Sequence, residues 1–117
     1  MRLEKMRMVE AAEALVAQVD RLHPRARAAS PRLADHLDRS ADSVLLNMSE
    51  GVGTYRPKVK ITAYEIARKE ANEVRAALRR LVIKRVFSEQ EIERAYNLAG
   101  ASVGMLTRAI IAAEERL

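Results

Sequence analysis

Apolar residues recur along this chain at three- and four-residue intervals, in four separate blocks. Met8, Val9, Ala12, Leu15, Val16, Val19 and Leu22 share one arc and predict a first helix over about 3–22. Leu33, Leu37, Ala41, Val44, Leu45, Met48 and Val52 predict a second over about 31–52. Ala63, Ile66, Ala67, Val74, Ala77, Leu78 and Leu81 predict a third over about 59–84. Ile92, Ala95, Leu98, Ala99, Val103, Leu106, Ile110 and Ala113 predict a fourth over about 89–116. No alternating, strand-like stretch of useful length competes.

The punctuation between the blocks agrees with their period. The stretch 23-HPRARAASP-31 reads as a proline-bounded basic linker, with Ser30 capping a helix whose first turn holds Pro31. Ser88 is followed three residues on by Glu91, the pattern of a capping box. The stretch 47-NMSEGVG-53 raises the question of a phosphate loop, which needs a strand before its glycines and a helix starting at them. Here a helix precedes the glycines and Pro57 follows, so the glycines end a helix. Gly53 is the candidate for a left-handed residue just past that end. Short connections make the helices antiparallel neighbours, and the predicted fold is a single all-α domain over 1–117, an up-down-up-down four-helix bundle.

With 117 residues the chain buries a core without staples. It has no cysteine, which excludes disulfides and thiolate zinc sites and suits a reducing cytoplasm. Charges scattered through 1-MRLEKMRMVE-10 disfavour a secretory leader, and no apolar run is long enough for a membrane span.

The fourth block changes the picture. Between 95 and 113 only Arg108 is charged, and the side away from the core arc carries Gly100, Gly104, Thr107 and Ile111. An ordinary surface helix is charged on its outer side. This one is expected to meet another copy of the chain, with the two glycines permitting close backbone approach.

Charge is concentrated elsewhere. The formal net charge is +5, yet residues 54–85 hold ten Lys or Arg against Glu65, Glu70 and Glu73. Arg56, Lys58, Lys60, Arg68, Arg75 and Arg79 are the candidate phosphate contacts, with Arg68, Arg75 and Arg79 read as one outer face of helix three. Arg25, Arg27 and Arg32 form a second basic group. Backbone-directed binding of RNA or DNA fits such a distribution, and aromatic residues for base stacking are nearly absent. A solvated helix face is the plainer alternative.

Catalytic parts are missing. His23 and His36 form no metal-ligand spacing with each other or with a Glu. Neither metal nor cofactor is expected, and no catalytic residue is assigned. Glu70 falls in the apolar arc of helix three, where pairing with an arginine or across a subunit contact is the leading role. Helix two carries a polar stripe of His36, Ser40, Ser43, Asn47 and Glu50 beside its core face. Two readings stand for it: it ties the helix to the next loop or to a neighbouring subunit, or it lines a small polar pocket.

The segment 40-SADSVLLNMSEGVGTYRPKVKITAYEIARKEANEVRAAL-78 resembles the four-helix-bundle proteins encoded in ribosomal RNA intervening sequences, the 23S rRNA-intervening sequence protein family. Ser43, Asn47, Glu50, Gly51, Ala67, Arg68 and Glu73 carry the likeness. Where the family has Gly-Ser after Ala-Arg, this chain has Lys69-Glu70, and Tyr64 is the nearest candidate for the family's aromatic early in the third helix. The resemblance implies a small cytosolic bacterial protein closing into a ring, typically a homopentamer. A related branch, the accessory proteins of diversity-generating retroelements, binds nucleic acid and a reverse transcriptase. The reading that follows is a non-enzymatic homo-oligomer that binds RNA or DNA. Its alternative is a protein–protein interaction scaffold with a merely solvated basic face; catalysis by Glu70 or Glu50 is a third reading.

Overall fold

The computed structural model describes residues 2–117, with side-chain detail from Arg7 onward; Met1 lies outside the described residues. Among the described residues the secondary structure is four α-helices and no strand: α1 (Arg2–Ala29), α2 (Pro31–Val52), α3 (Pro57–Ile83) and α4 (Glu89–Glu114). Each helix packs on the next in the chain, and α1 also packs on α4, which closes a four-helix bundle measuring 45 × 22 × 18 Å. None of these helices is long and apolar enough to cross a membrane.

The core runs the length of the bundle. Met8, Leu15 and Val19 of α1 meet Leu37, Val44 and Met48 of α2, Val74, Leu78 and Leu81 of α3, and Ile92 and Leu106 of α4, all fully buried. Between these large side chains sit buried alanines on every helix, among them Ala12, Ala41, Ala71 and Ala99. Alternating large and small residues lets facing helices interdigitate at native density.

The first helix corrects the expected linker. It does not stop at Leu22 but continues through the basic stretch to Ala29, with Pro24 inside it. The reason is the core arc, which continues through buried Leu22 and Ala26. Pro24 is exposed, on the side of α1 away from the core, although it offers no N–H to the helix. Ser30 is then the whole connection between α1 and α2. Its backbone is extended (φ −155°, ψ 92°), its N–H donates to the Ala26 carbonyl at 2.8 Å, and its hydroxyl accepts from the Leu33 N–H at 3.4 Å.

The other two ends differ in chemistry. Gly53 is not left-handed: it lies at φ −78° and continues the helical turn by donating to the Ser49 carbonyl. The left-handed residue is Arg85, at φ 64°. Its N–H donates to the Val82 carbonyl and that of Val86 to the Leu81 carbonyl, so α3 ends in a Schellman motif with an arginine where glycine is the usual choice. The chain then turns through buried Phe87, over which the Arg25 guanidinium lies at 4.3 Å.

Ser88 and Glu91 cap α4 reciprocally: the Glu91 N–H donates to Ser88 Oγ at 3.1 Å and the Ser88 N–H to Glu91 Oε1 at 2.9 Å. Glu91 also accepts from Arg25 of α1. These bonds, the Ser88 backbone first and Arg25 second, hold the Glu91 carboxyl below the usual carboxylate range. A depressed folded-state value means the stabilisation is present above the unfolded value and lost as pH falls through the folded one. Ser88→Ala is expected to cost about 1 kcal/mol in urea unfolding at neutral pH. Glu91→Gln is expected to be less stable than the parent at pH 7, with the difference closing as the pH falls below the folded value; a gap of constant size across that range would contradict the assigned carboxylate.

Candidate functional site

Three regions collect the polar and charged side chains that the core does not use. The first is the handover from α2 to α3. Gly51 is buried in the last turn of α2, and the Tyr64 ring of α3 lies flat against its backbone. A Cβ on Gly51 would enter the ring, meeting Tyr64 Cδ1 at 2.6 Å and Cζ at 2.9 Å. Lys60, one turn before Tyr64, is only 3% exposed and donates from Nζ to the Gly51 carbonyl at 2.7 Å. That bond satisfies a helix-end carbonyl that has no partner within its own helix. Burial raises the Tyr64 hydroxyl above the ordinary tyrosine value.

This geometry revises two expectations. Lys60 is committed to the fold and is no phosphate contact. Asn47 does not fasten the loop: its amide donates back to Ser43 of its own helix, to the carbonyl at 2.9 Å and the hydroxyl at 3.0 Å. Asn47 and Glu50 instead face an open hollow of about 300 Å³ shared with Lys58, Thr62 and Ile66 of α3. Ile66, expected in the core arc, is 41% exposed at that hollow. Arg56 and Lys58 are exposed at the same end, Arg56 in the loop and Lys58 in the first turn of α3.

The second region is the seam between α3 and α4. Arg68, Arg75 and Arg79 do not form a free outer face; they reach across to α4. Arg68 donates to Thr107 Oγ1 at 3.4 Å, and Arg79 pairs with Glu89 at 3.2 Å. The Arg75 guanidinium stacks over Tyr96 at 4.5 Å and lies beside Gly100, where a Cβ would meet it at an ordinary 3.8 Å. Gly100, Gly104 and Thr107 are half-buried along this flank, and of that group Ile111 alone is exposed, at 52%. Glu70 is half-buried rather than central, because Ala71 takes the core position beside it.

The third region was not assembled by sequence, which grouped Arg32 with Arg25 and Arg27 and put His36 in the polar stripe of α2. Arg32, His36 and Arg39 of α2 and Arg80 of α3 line an open groove of about 430 Å³ floored by Leu33, Ala76 and Ala77. Glu73, a member of the sequence signature, meets His36 Nε2 at 3.4 Å beside it. The spacing 32, 36, 39 puts three cation-capable side chains on one helical flank, and that was the readable signal. Among the described residues no group of three His, Cys, Asp or Glu is placed to hold a metal ion.

A family model described as 23S rRNA-intervening sequence protein matches residues 4–108. Among solved structures, the chain is similar to a protein of unknown function from the S23 ribosomal protein family of Bacteroides thetaiotaomicron. The two are 18% identical, the alignment covers 92% of this chain and 97% of that one, and the TM-score is 0.81. At that identity the likeness speaks for the fold alone. Comparison with curated proteins returns no match.

Gly51→Ala is expected to destabilise by about 1–3 kcal/mol, because a methyl group would be forced into a packed ring. Tyr64→Ala in the same chain removes the collision, so the double variant is expected to lose less than the two single losses added. Additive losses in urea unfolding would refute the ring contact as the cause.

Proposed function

The chain belongs to the 23S rRNA-intervening sequence protein family, and from that premise we propose that it is a non-enzymatic accessory protein of the cytoplasm that self-associates and binds RNA or DNA. In this reading the up-down-up-down bundle is the subunit of a ring-like homo-oligomer, a homopentamer by the family resemblance. The charge-poor flank of α4, with Gly104 and Ile111, is the surface that meets the next subunit.

One observation carries the nucleic-acid reading. At the end of the bundle where α1 meets α2 and α3 meets α4, three carboxylates are engaged by arginines, while Asp38 of α2 and Glu93 of α4 have no ion pair among the described residues. Glu91 holds Arg25, Asp35 holds Arg27 and Glu89 holds Arg79, and Glu73 contacts the His36 ring. Arg32, Arg39, Arg80, Lys84 and Arg85 have no ion-pair partner among the described residues. A cluster of uncompensated cations at one end favours a polyanion and gives salt-sensitive association. Arg85 strengthens the point. An L-residue in the left-handed region costs about 1 kcal/mol or more relative to glycine, and strain of this kind collects at functional positions.

The decisive measurement is absolute mass in solution, on protein stripped of nucleic acid, followed by titration with labelled duplex RNA and DNA at low salt. An oligomer that binds and releases steeply with added salt is the expected result. A strict monomer overturns the assembly, and failure to bind any nucleic acid at low salt overturns the function. Arg85→Gly is expected to raise the unfolding midpoint, by about 1 kcal/mol of stability, while weakening nucleic-acid binding. A gain in stability with unchanged binding would remove Arg85 from the binding surface.

A further inference from the structure

We infer that the groove between α2 and α3 seats the sugar-phosphate backbone of a nucleic-acid duplex, with Arg32, Arg39 and Arg80 as its phosphate ligands. This rests on the nucleic-acid reading above and says where the polyanion lies and in what form.

The location follows from which cations are spoken for. The arginine stripe along α3 is spent on α4, through Thr107, Tyr96 and Glu89. Lys60 is buried under the end of α2. Arg56, Lys58, Lys84 and Arg85 are also left unpaired, but Arg32, Arg39 and Arg80 converge from two helices on one groove, with no carboxylate paired to any of them. The floor of small residues, Ala76 and Ala77, lets a backbone come close. Arg32 also stands in the first turn of α2, which carries no acidic residue, so the positive end of the helix dipole adds to the same field.

The form of the ligand follows from two further features. Arg32 and Arg39 are seven residues apart on one helix, a separation of about 10 Å along its axis. Phosphates of one duplex strand recur roughly every 3.4 Å of its axis, so two arginines this far apart can each take a separate phosphate. A single strand held without sequence preference needs aromatic platforms, and the groove has none. Phe87 and Tyr64 are buried, Tyr96 is covered by Arg75, and exposed Tyr55 stands in the α2–α3 loop at the far end of the bundle. Recognition is therefore electrostatic and indifferent to sequence.

The test is binding of the full chain to labelled duplexes of RNA and of DNA, and to a single strand of the same sequence, across a salt series. The variant Arg32→Gln/Arg39→Gln/Arg80→Gln is compared with Arg7→Gln/Arg116→Gln, which removes exposed cations from the opposite end. The groove variant is expected to flatten the dependence of log K on log salt by roughly 2–3 for each groove engaged. It is also expected to lower duplex affinity roughly tenfold or more at low salt. The distant variant is expected to change little, and both duplexes are expected to outcompete the single strand. Circular dichroism checks that both variants keep the parent's helix content. Duplex binding by the parent with equal losses per charge in the two variants overturns the groove while leaving the proposed function intact. Preference for the single strand overturns the duplex assignment. No binding by the parent overturns both.

Discussion

The contact between the Tyr64 ring and the bare backbone of Gly51 sets how α3 lies against α2. The ring can lie flat only where a side chain is absent, and Lys60, one turn away, ties the adjacent carbonyl to the same helix. Together these fix the depth and rotation of α3 at its first turns. The consequence runs along the whole pair, which forms the most extensive helix–helix interface among the described residues. Once α3 is set at one end, His36 meets Glu73 and Arg80 comes to the same groove as Arg32 and Arg39 towards the other. A basic groove at one end of the bundle thus depends on an aromatic–glycine contact at the opposite end.

The arginines divide by what they touch. On the α3–α4 seam they behave as long amphipathic side chains, covering Tyr96 and reaching Thr107, so their charge is partly spent on holding two helices together. On the α2–α3 groove they project from the helices and form no ion pair with a carboxylate. Composition treats the two sets alike, since both are arginines on amphipathic helices. Their difference comes from the neighbouring helix: α4 offers hydroxyl, ring and glycine, whereas the facing positions at the groove are alanines.

Much of the bundle was legible because it depends on local chemistry and on period. Helix number and the Ser30 and Ser88 caps follow from residues a few positions apart. The misreadings came where a local signal met a tertiary one. Pro24 marks a break by its own chemistry, yet Leu22 and Ala26 carry the core past it and the helix follows the core. Glu70 and Ala71 both fit the arc of α3, and burial selected the smaller, uncharged one. The left-handed position was assigned to Gly53 on residue type, whereas the backbone placed it at Arg85, where a Schellman turn satisfies the last carbonyls of α3. The candidate site was legible only as a surplus of positive charge. Which cations are left over depends on pairs such as Arg25 with Glu91, 66 residues apart, and no local pattern encodes those.

The junction at Ser30 has a consequence for how such a chain tolerates change in length. With a single residue between α1 and α2, there is no slack to absorb an insertion or deletion. One residue more or less in either flanking helix turns it by about 100° and shifts it by about 1.5 Å. Leu22 and Ala26 would leave the core and Arg25 would swing away from Glu91. The joint is therefore a gear tooth rather than a hinge, and variation in length is confined to the segments 53–56 and 84–88, where several residues separate the helices.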